Sequence, residues 1–159
     1  MEYLDAESVV NAYSDMMYSI AKHILSSRED AEDAVSDAFL NYFKKDWEFE
    51  SEEHRRSWFI RVVTNCCYDT LRKRRDFVDI DDGLSEVIAA PEDVDREENL
   101  DLQAAVNSLP PVYRMTVVLH YLNDVPVKEI ADMLGTNENT IKSRLHHARK
   151  LLQKAMGTN

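Results

Sequence analysis

The chain has 159 residues, with 19 Lys and Arg against 30 Asp and Glu, giving a formal net charge of −11 at pH 7. That length allows one ordinary domain or two small ones. Such acidity gives the protein as a whole little electrostatic reason to approach nucleic acid, unless its charges are segregated. No apolar run approaches the length of a membrane span, and the opening "MEYLDAESVV" is acidic where a secretory leader is basic, so the chain is expected to stay in the cytoplasm without membrane insertion.

Three Gly and four Pro leave long helices few interruptions. The alternating strand signature is nearly absent, so the expected fold class is all-α. Cys66 and Cys67, the only cysteines, are adjacent and read as two small apolar residues on a helix. There is no H-E-x-x-H spacing, Gly-rich phosphate loop or G-x-S-x-G elbow. The chain is therefore not expected to be an enzyme, and no metal or cofactor is expected.

From Val9 the apolar residues Val9, Tyr13, Met16, Met17, Ile20 and Ile24 recur at helical steps and predict a first helix. "SSREDAEDAVSDAFLNYFKK" predicts a second, opened by a Ser27/Asp30 capping box and closed by Lys44 and Lys45, with acids and cations placed to suit the helix dipole. Its apolar stripe is Ala31, Ala34, Val35, Ala38, Phe39 and Tyr42, while Asp33, Ser36, Asp37 and Leu40 lie beside or opposite it. "HRRSWFIRVVTNCCYDTLRKRRD" predicts a third helix with a core of Phe59, Val62, Val63, Cys66 and Leu71 and with Trp58 at the margin. Arg55, Arg56 and Arg61 precede a terminal run, Arg72, Lys73, Arg74 and Arg75. Aromatic rings interleaved with cations suit melted nucleic acid, because rings stack on bases and cations meet phosphates. Cations also favour a helix C-terminus, but four in succession exceed what the dipole needs. Asn65, a poor helix former in mid-helix, is either a satisfied polar residue or a group that reaches a base edge.

The next stretch, "DFVDIDDGLSEVIAAPEDVDREENLD", carries 11 acids and one cation, net −10. It reads as an acidic, flexible linker over 76–98, between a first domain at 1–75 and a second at 99–159. Residues 1–75 carry net −4 and residues 102–159 net +3, so most of the acidity is confined to the linker.

Leu102, Val106 and Leu109 continue a helical face that ends at "LPP", and Pro111 suits the first turn of an apolar helix, "VYRMTVVLHYL". "ND" breaks the pattern. "VKEIADML" after Pro126 turns Ile130, Ala131 and Leu134 inward, Gly135 supplies a stop, and Asn137 caps a last helix. A short helix, a tight turn and a longer basic helix make a helix-turn-helix. Ile141, Leu145, Ala148 and Leu152 form the core side of the last helix. Thr140, Lys142, Ser143, His146 and His147 are then candidates for base edges and nearby phosphates, with Arg144, Arg149 and Lys150 as phosphate contacts.

"DAEDAVSDAFLNYF" followed by "SWFIRVVTNCCYDTLRKRR" resembles region 2 of the sigma-70 family, and the stretch from "LPPVYRM" to "HHARKLL" resembles its region 4. With only a linker between them, the chain is similar to the extracytoplasmic-function class, over about residues 8–156. The resemblance implies a promoter-specificity subunit of bacterial RNA polymerase with two small helical domains. It implies that Asp33, Ser36, Asp37, Phe39 and Leu40 dock on the clamp helices of the largest polymerase subunit. It also implies that Asn65 helps hold a flipped minus-ten base, with Trp58, Arg61 and Arg72, Lys73, Arg74 and Arg75 guiding the DNA. Lys142, Ser143, His146 and His147 would read the minus-thirty-five element. The second domain would meet the polymerase flap, and an anti-sigma factor is the expected regulatory partner. Two readings compete: an autonomous helix-turn-helix regulator, and a helical interaction protein without a nucleic-acid role.

Overall fold

The computed structural model describes residues 5–74 and 98–157. The expected acidic linker and Arg75 fall almost wholly outside the described residues. Seven α-helices and one π-helical turn are seen, and there is no strand among the described residues. The described helices divide into two units, one built from the first three and the other from the last four.

In the first unit, α1 (Ala6–Leu25), α2 (Arg28–Phe43) and α3 (Glu52–Lys73) each pack against the other two. Their ends are set by local chemistry. Asp5, Ser27 and Ser51 accept from the backbone N–H groups of Ser8, Asp30 and His54, satisfying donors that a helix start leaves orphaned. Ser26 ends α1 in the left-handed region at φ 58°, its N–H returning to Lys22 O at 2.9 Å. Val9, Tyr13, Met17, Ile20 and Ile24 of α1 are buried as the periodicity predicts, while Met16 is only half-buried. Small Ala31, Ala34 and Ala38 let α2 approach its neighbours closely, and Phe59 of α3 fills the centre. Its ring stacks on Tyr13 at 4.6 Å and meets Phe39 edge-on at 5.7 Å.

The core side of α3 differs from the expected set. Ile60 and Cys67 are buried, whereas Val62 and Cys66 are half-buried, because the buried stripe over 22 residues drifts by about a residue from the one the short pattern suggests. Arg55, one of the cations that precede the terminal run, is 4% exposed. It pairs with Glu52 at 2.6 Å and lies over the Phe49 ring at 5.4 Å. Glu52 in turn accepts from the Tyr13 hydroxyl at 2.5 Å, which ties the start of α3 to α1. Arg55 Nε and Thr64 Oγ1 are buried without a hydrogen-bond partner.

In the second unit, α4 (Glu98–Ser108) leads into α5 (Pro111–Val117), with Pro111 at the first helical position as expected. Leu102 is 48% exposed rather than facing inward, and Val106 and Leu109 are buried. Every residue from Tyr113 to Leu119 is buried. Arg114 is among them because its guanidinium caps the end of α4, donating to Asn107 O at 3.0 Å and Leu109 O at 3.1 Å. The single apolar helix expected here widens into a π turn, Val118–Leu122. Asn123 Nδ2 donates to Val118 O at 2.9 Å, Val125 N to Leu119 O at 3.0 Å and His120 Nδ1 to Val125 O at 3.0 Å. These bonds occupy carbonyls and donors that would otherwise be left without partners there. The helix-turn-helix follows as α6 (Val127–Leu134), Gly135 at φ 68°, and α7 (Glu138–Ala155) capped by Asn137, which accepts from Thr140 N at 2.8 Å. Met133 and Leu151 are buried where Leu134 and Leu152 were expected, and those two are half-buried.

Candidate polymerase and nucleic-acid interfaces

Successive residues of an α-helix diverge by about 100°, so neighbours in sequence point different ways and only selected spacings share a face. On α2, Asp33, Ser36, Asp37 and Leu40 are all exposed and fall within one such face. Leu40 is 62% exposed, an apolar side chain among acids. Phe39 points elsewhere. It is half-buried between Phe59 and Phe43, so it supports the face from beneath. Phe43, 48% exposed and about two turns beyond Ser36, extends the face and was missed in the sequence. Its spacing from Leu40 and Phe39, three and four residues, was the available signal.

On α3, Arg61, Asn65 and Arg72 are exposed on one side, with half-buried Trp58 at the edge. Asn65 is therefore not a buried, internally satisfied polar group. The Arg72 guanidinium lies over the Tyr68 ring at 5.8 Å. Trp58 meets Tyr42 at 5.7 Å, Phe49 at 6.0 Å, Phe59 at 5.1 Å and Trp47 at 4.8 Å. Trp47 belongs to this aromatic group although its place there was not legible in the sequence. It sits in the segment between α2 and α3, its Nε1 donates to Asn41 O at 3.2 Å, and Lys45 Nζ lies 4.1 Å above its ring.

The terminal cations do not act as one cluster. Arg72 and Lys73 are exposed, but the Arg74 guanidinium crosses to Asp30 in an ion pair and donates to Leu25 O at 3.3 Å. The Asp30 carboxylate, expected to complete a capping box with Ser27, faces Arg74 instead. Only the Ser27 half of that box is made, with Asp30 N donating to Ser27 Oγ at 3.2 Å. Asp69 of α3 is exposed beside the face that carries Arg72. Burial pushes the Cys66 thiol up to about 11, reinforced by Asp37 and Asp69. Burial raises Cys67 as well, and Cys66 adds to it. Both shifts disfavour the thiolate, which argues against a reactive cysteine pair.

On α7, Lys142, His146, Arg149 and Lys150 are exposed on one broad face. Asn139, about one turn before Lys142 and two before His146, is exposed on that face and was not among the expected contacts. Ser143 is half-buried at its edge. Thr140, Arg144 and His147 fall on the opposite flank and are half-buried. The His147 ring lies 6.3 Å from Tyr113 of α5, nearly parallel to it. The sequence could not separate these two groups because the polar residues of α7 surround all but its core stripe. Among the described residues, no group of His, Cys, Asp and Glu is arranged to hold a metal ion, and no helix is long and apolar enough to cross a membrane.

A family model described as Sigma-70 region 2 matches residues 9–77, and one described as Sigma-70, region 4 matches residues 99–152. The ECF RNA polymerase sigma factor SigW of Bacillus subtilis is 28% identical over 162 residues, spanning 93% of this chain and 87% of its own length. The RNA polymerase sigma factor SigV of the same organism is 29% identical over 136 residues, spanning 86% of this chain and 81% of its own. Among solved structures, the sigma factor RpoE in complex with the anti-sigma factor NepR from Bartonella quintana superimposes with a TM-score of 0.70 at 25% identity, covering 96% of this chain and 97% of the other.

Proposed function

The chain belongs to the sigma-70 family, in its extracytoplasmic-function class, as a promoter-recognition subunit of RNA polymerase without enzymatic activity of its own, and from that premise we propose how its faces divide the work. Residues 1–75 form the domain that docks on polymerase and opens the minus-ten element, residues 76–98 the linker, and residues 99–159 the domain that binds the minus-thirty-five element. Asp33, Ser36, Asp37 and Leu40, extended by Phe43, dock on the clamp helices of the largest subunit. Acids around an exposed leucine suit a basic partner surface with an apolar centre.

Arg61, Asn65 and Arg72, flanked by Trp58, address the minus-ten strand as it opens. Their shared exposure on one side of α3 is the observation that carries this reading. A flipped base needs a polar group for its edge and an aromatic or apolar wall, and Asn65 and Trp58 supply those chemistries on one surface. Opening then follows from tighter binding to the open DNA than to the duplex. Lys142 and His146, with Asn139 and Ser143, read base edges of the minus-thirty-five element, while Arg149 and Lys150 hold phosphates. Arg144, Thr140 and His147 support α7 from its half-buried flank. The protein works in the cytoplasm, where polymerase and promoter meet. The similar RpoE was solved with an anti-sigma factor, which supports control of this chain by a partner of that kind.

The test is capture of bacterial core RNA polymerase by the purified protein, with Asp33→Arg/Asp37→Arg as the comparison. Binding by wild type and its absence in the double variant supports the reading. If neither binds, while residues 99–159 still bind DNA, an autonomous regulator is the better account.

A further inference from the structure

Three helix ends meet at one place in the first unit. α1 ends at Leu25, whose carbonyl is among those a helix leaves without an internal partner. α2 begins at Arg28, and Asp30 lies in its first turn, where the helix dipole favours a carboxylate. α3 ends at Lys73 with Arg74 as its cap. The Arg74 side chain bridges all three, donating to Leu25 O and pairing with Asp30. Its side chain is 30% exposed and that of Asp30 33%, so the pair is partly shielded from solvent. At the other end of α3, Tyr13, Glu52 and Arg55 make the corresponding tie to α1. The exposed Arg61, Asn65 and Arg72 lie between these two ties.

Helix ends fray, and the last turn is the part of α3 least fixed by its own hydrogen bonds. Arg72 and Lys73 lie in that turn. A guanidinium anchored one residue further on fixes the direction in which both leave the helix. From this we propose that Asp30 and Arg74 are positioning residues for promoter opening. They lock the end of the DNA-opening helix α3 to the start of the polymerase-docking helix α2, so that the strand-guiding cations stand in a set place relative to the docked polymerase. Arg74 itself is not a phosphate contact, although it stands within a run of four cations. This inference rests on the proposed roles of α2 and α3.

The experiment uses full-length protein with core polymerase on a duplex promoter and on the same promoter carrying a pre-melted bubble. Opening is followed by fluorescence of a base analogue in the minus-ten element, and thermal melting is recorded for each variant. Asp30→Asn and Arg74→Gln are each expected to slow duplex opening by about two- to five-fold, the range for an ion pair of this exposure. The double variant should be no slower than either single one, and Arg74→Lys should keep most of the rate. Opening on the bubble and the salt dependence of DNA binding should stay unchanged. A reduced salt slope for Arg74→Gln with Asp30→Asn silent would make Arg74 a phosphate contact and overturn the proposal. Additive effects, or equal losses on duplex and bubble with lowered melting temperatures, would reduce the pair to a general stabilising contact and overturn it too. If wild type itself does not open the promoter with polymerase, the functional reading fails, and the positioning role with it.

Discussion

Leu40→Ala separates docking from folding. Leu40 is 62% exposed in the isolated protein, so truncation removes little core packing. Leu and Ala are both good helix formers, and a surface change of this kind alters stability by no more than about 0.5 kcal/mol. Full burial of a leucine is worth about 1.5–3 kcal/mol. The fraction still available to a partner is therefore worth about 1–2 kcal/mol, which corresponds to about a five- to thirty-fold weaker Kd. Titration of labelled protein with core polymerase gives the Kd, and thermal melting of the same samples gives the folding control. An unchanged Kd would mean that the polymerase does not cover this side chain. A weaker Kd matched by a fall in Tm would mean that Leu40 serves the fold, and the assignment of this face would be wrong.

Arg149→Ala should weaken promoter binding about equally across sequences and lower the salt slope by about one, because one phosphate fewer is neutralised; a changed sequence preference in a promoter-variant panel would instead make it a reading residue. Ile141→Ala empties a fully buried position of α7 and should cost the second unit about 2–5 kcal/mol, seen as an earlier melting transition and impaired duplex binding while capture of polymerase by α2 persists. The Tyr13 phenol is pushed from 10.0 up to about 12, first by burial and then by its hydrogen bond to Glu52. Because the unfolded chain ionises first, stability should be level below pH 10 and fall between pH 10 and 12, and Tyr13→Phe should flatten that alkaline fall in denaturant titrations.

Much of the fold was legible because it rests on short-range rules. Ser27 and Asn137 cap helices where they were expected to, Gly135 stops α6 with positive φ, and Pro111 opens α5. What failed was set by position over longer stretches. Three core assignments moved by about one residue: Cys66 to Cys67 in α3, Leu134 to Met133 in α6, and Leu152 to Leu151 in α7. A residue turns by about 100° per step, so a small drift in the buried stripe exchanges adjacent apolar residues. Polar residues taken into the interior were harder still. Arg55 and Arg114 look like surface cations in the sequence, but both are buried: Glu52 pairs with one Arg55 nitrogen while its Nε stays without a hydrogen-bond partner, and the carbonyls ending α4 accept from Arg114. The carbonyls that hold Arg114 reach it through the packing of α4 against α5, whereas Glu52 lies one turn before Arg55 on α3 and it is the burial of that end of α3 that the sequence hides.

The same angular reasoning explains how a chain of net charge −11 presents basic surfaces to DNA. Charge counted along the sequence averages residues that point in opposite directions. In the run Arg72 to Arg74, two cations face outward and the third is spent on Asp30, so the local field at the end of α3 is weaker than the composition suggests. On α7 the reverse holds. Lys142, Arg149 and Lys150 share a side, and the acid of its first turn, Glu138, sits at the opposite end of the helix from Arg149 and Lys150. Exposed charges separated by more than about 8 Å are largely screened at physiological salt. A docking face therefore responds to the cations within that radius far more than to the acids elsewhere in the chain, and electrostatic selection acts on helix faces before it acts on net charge.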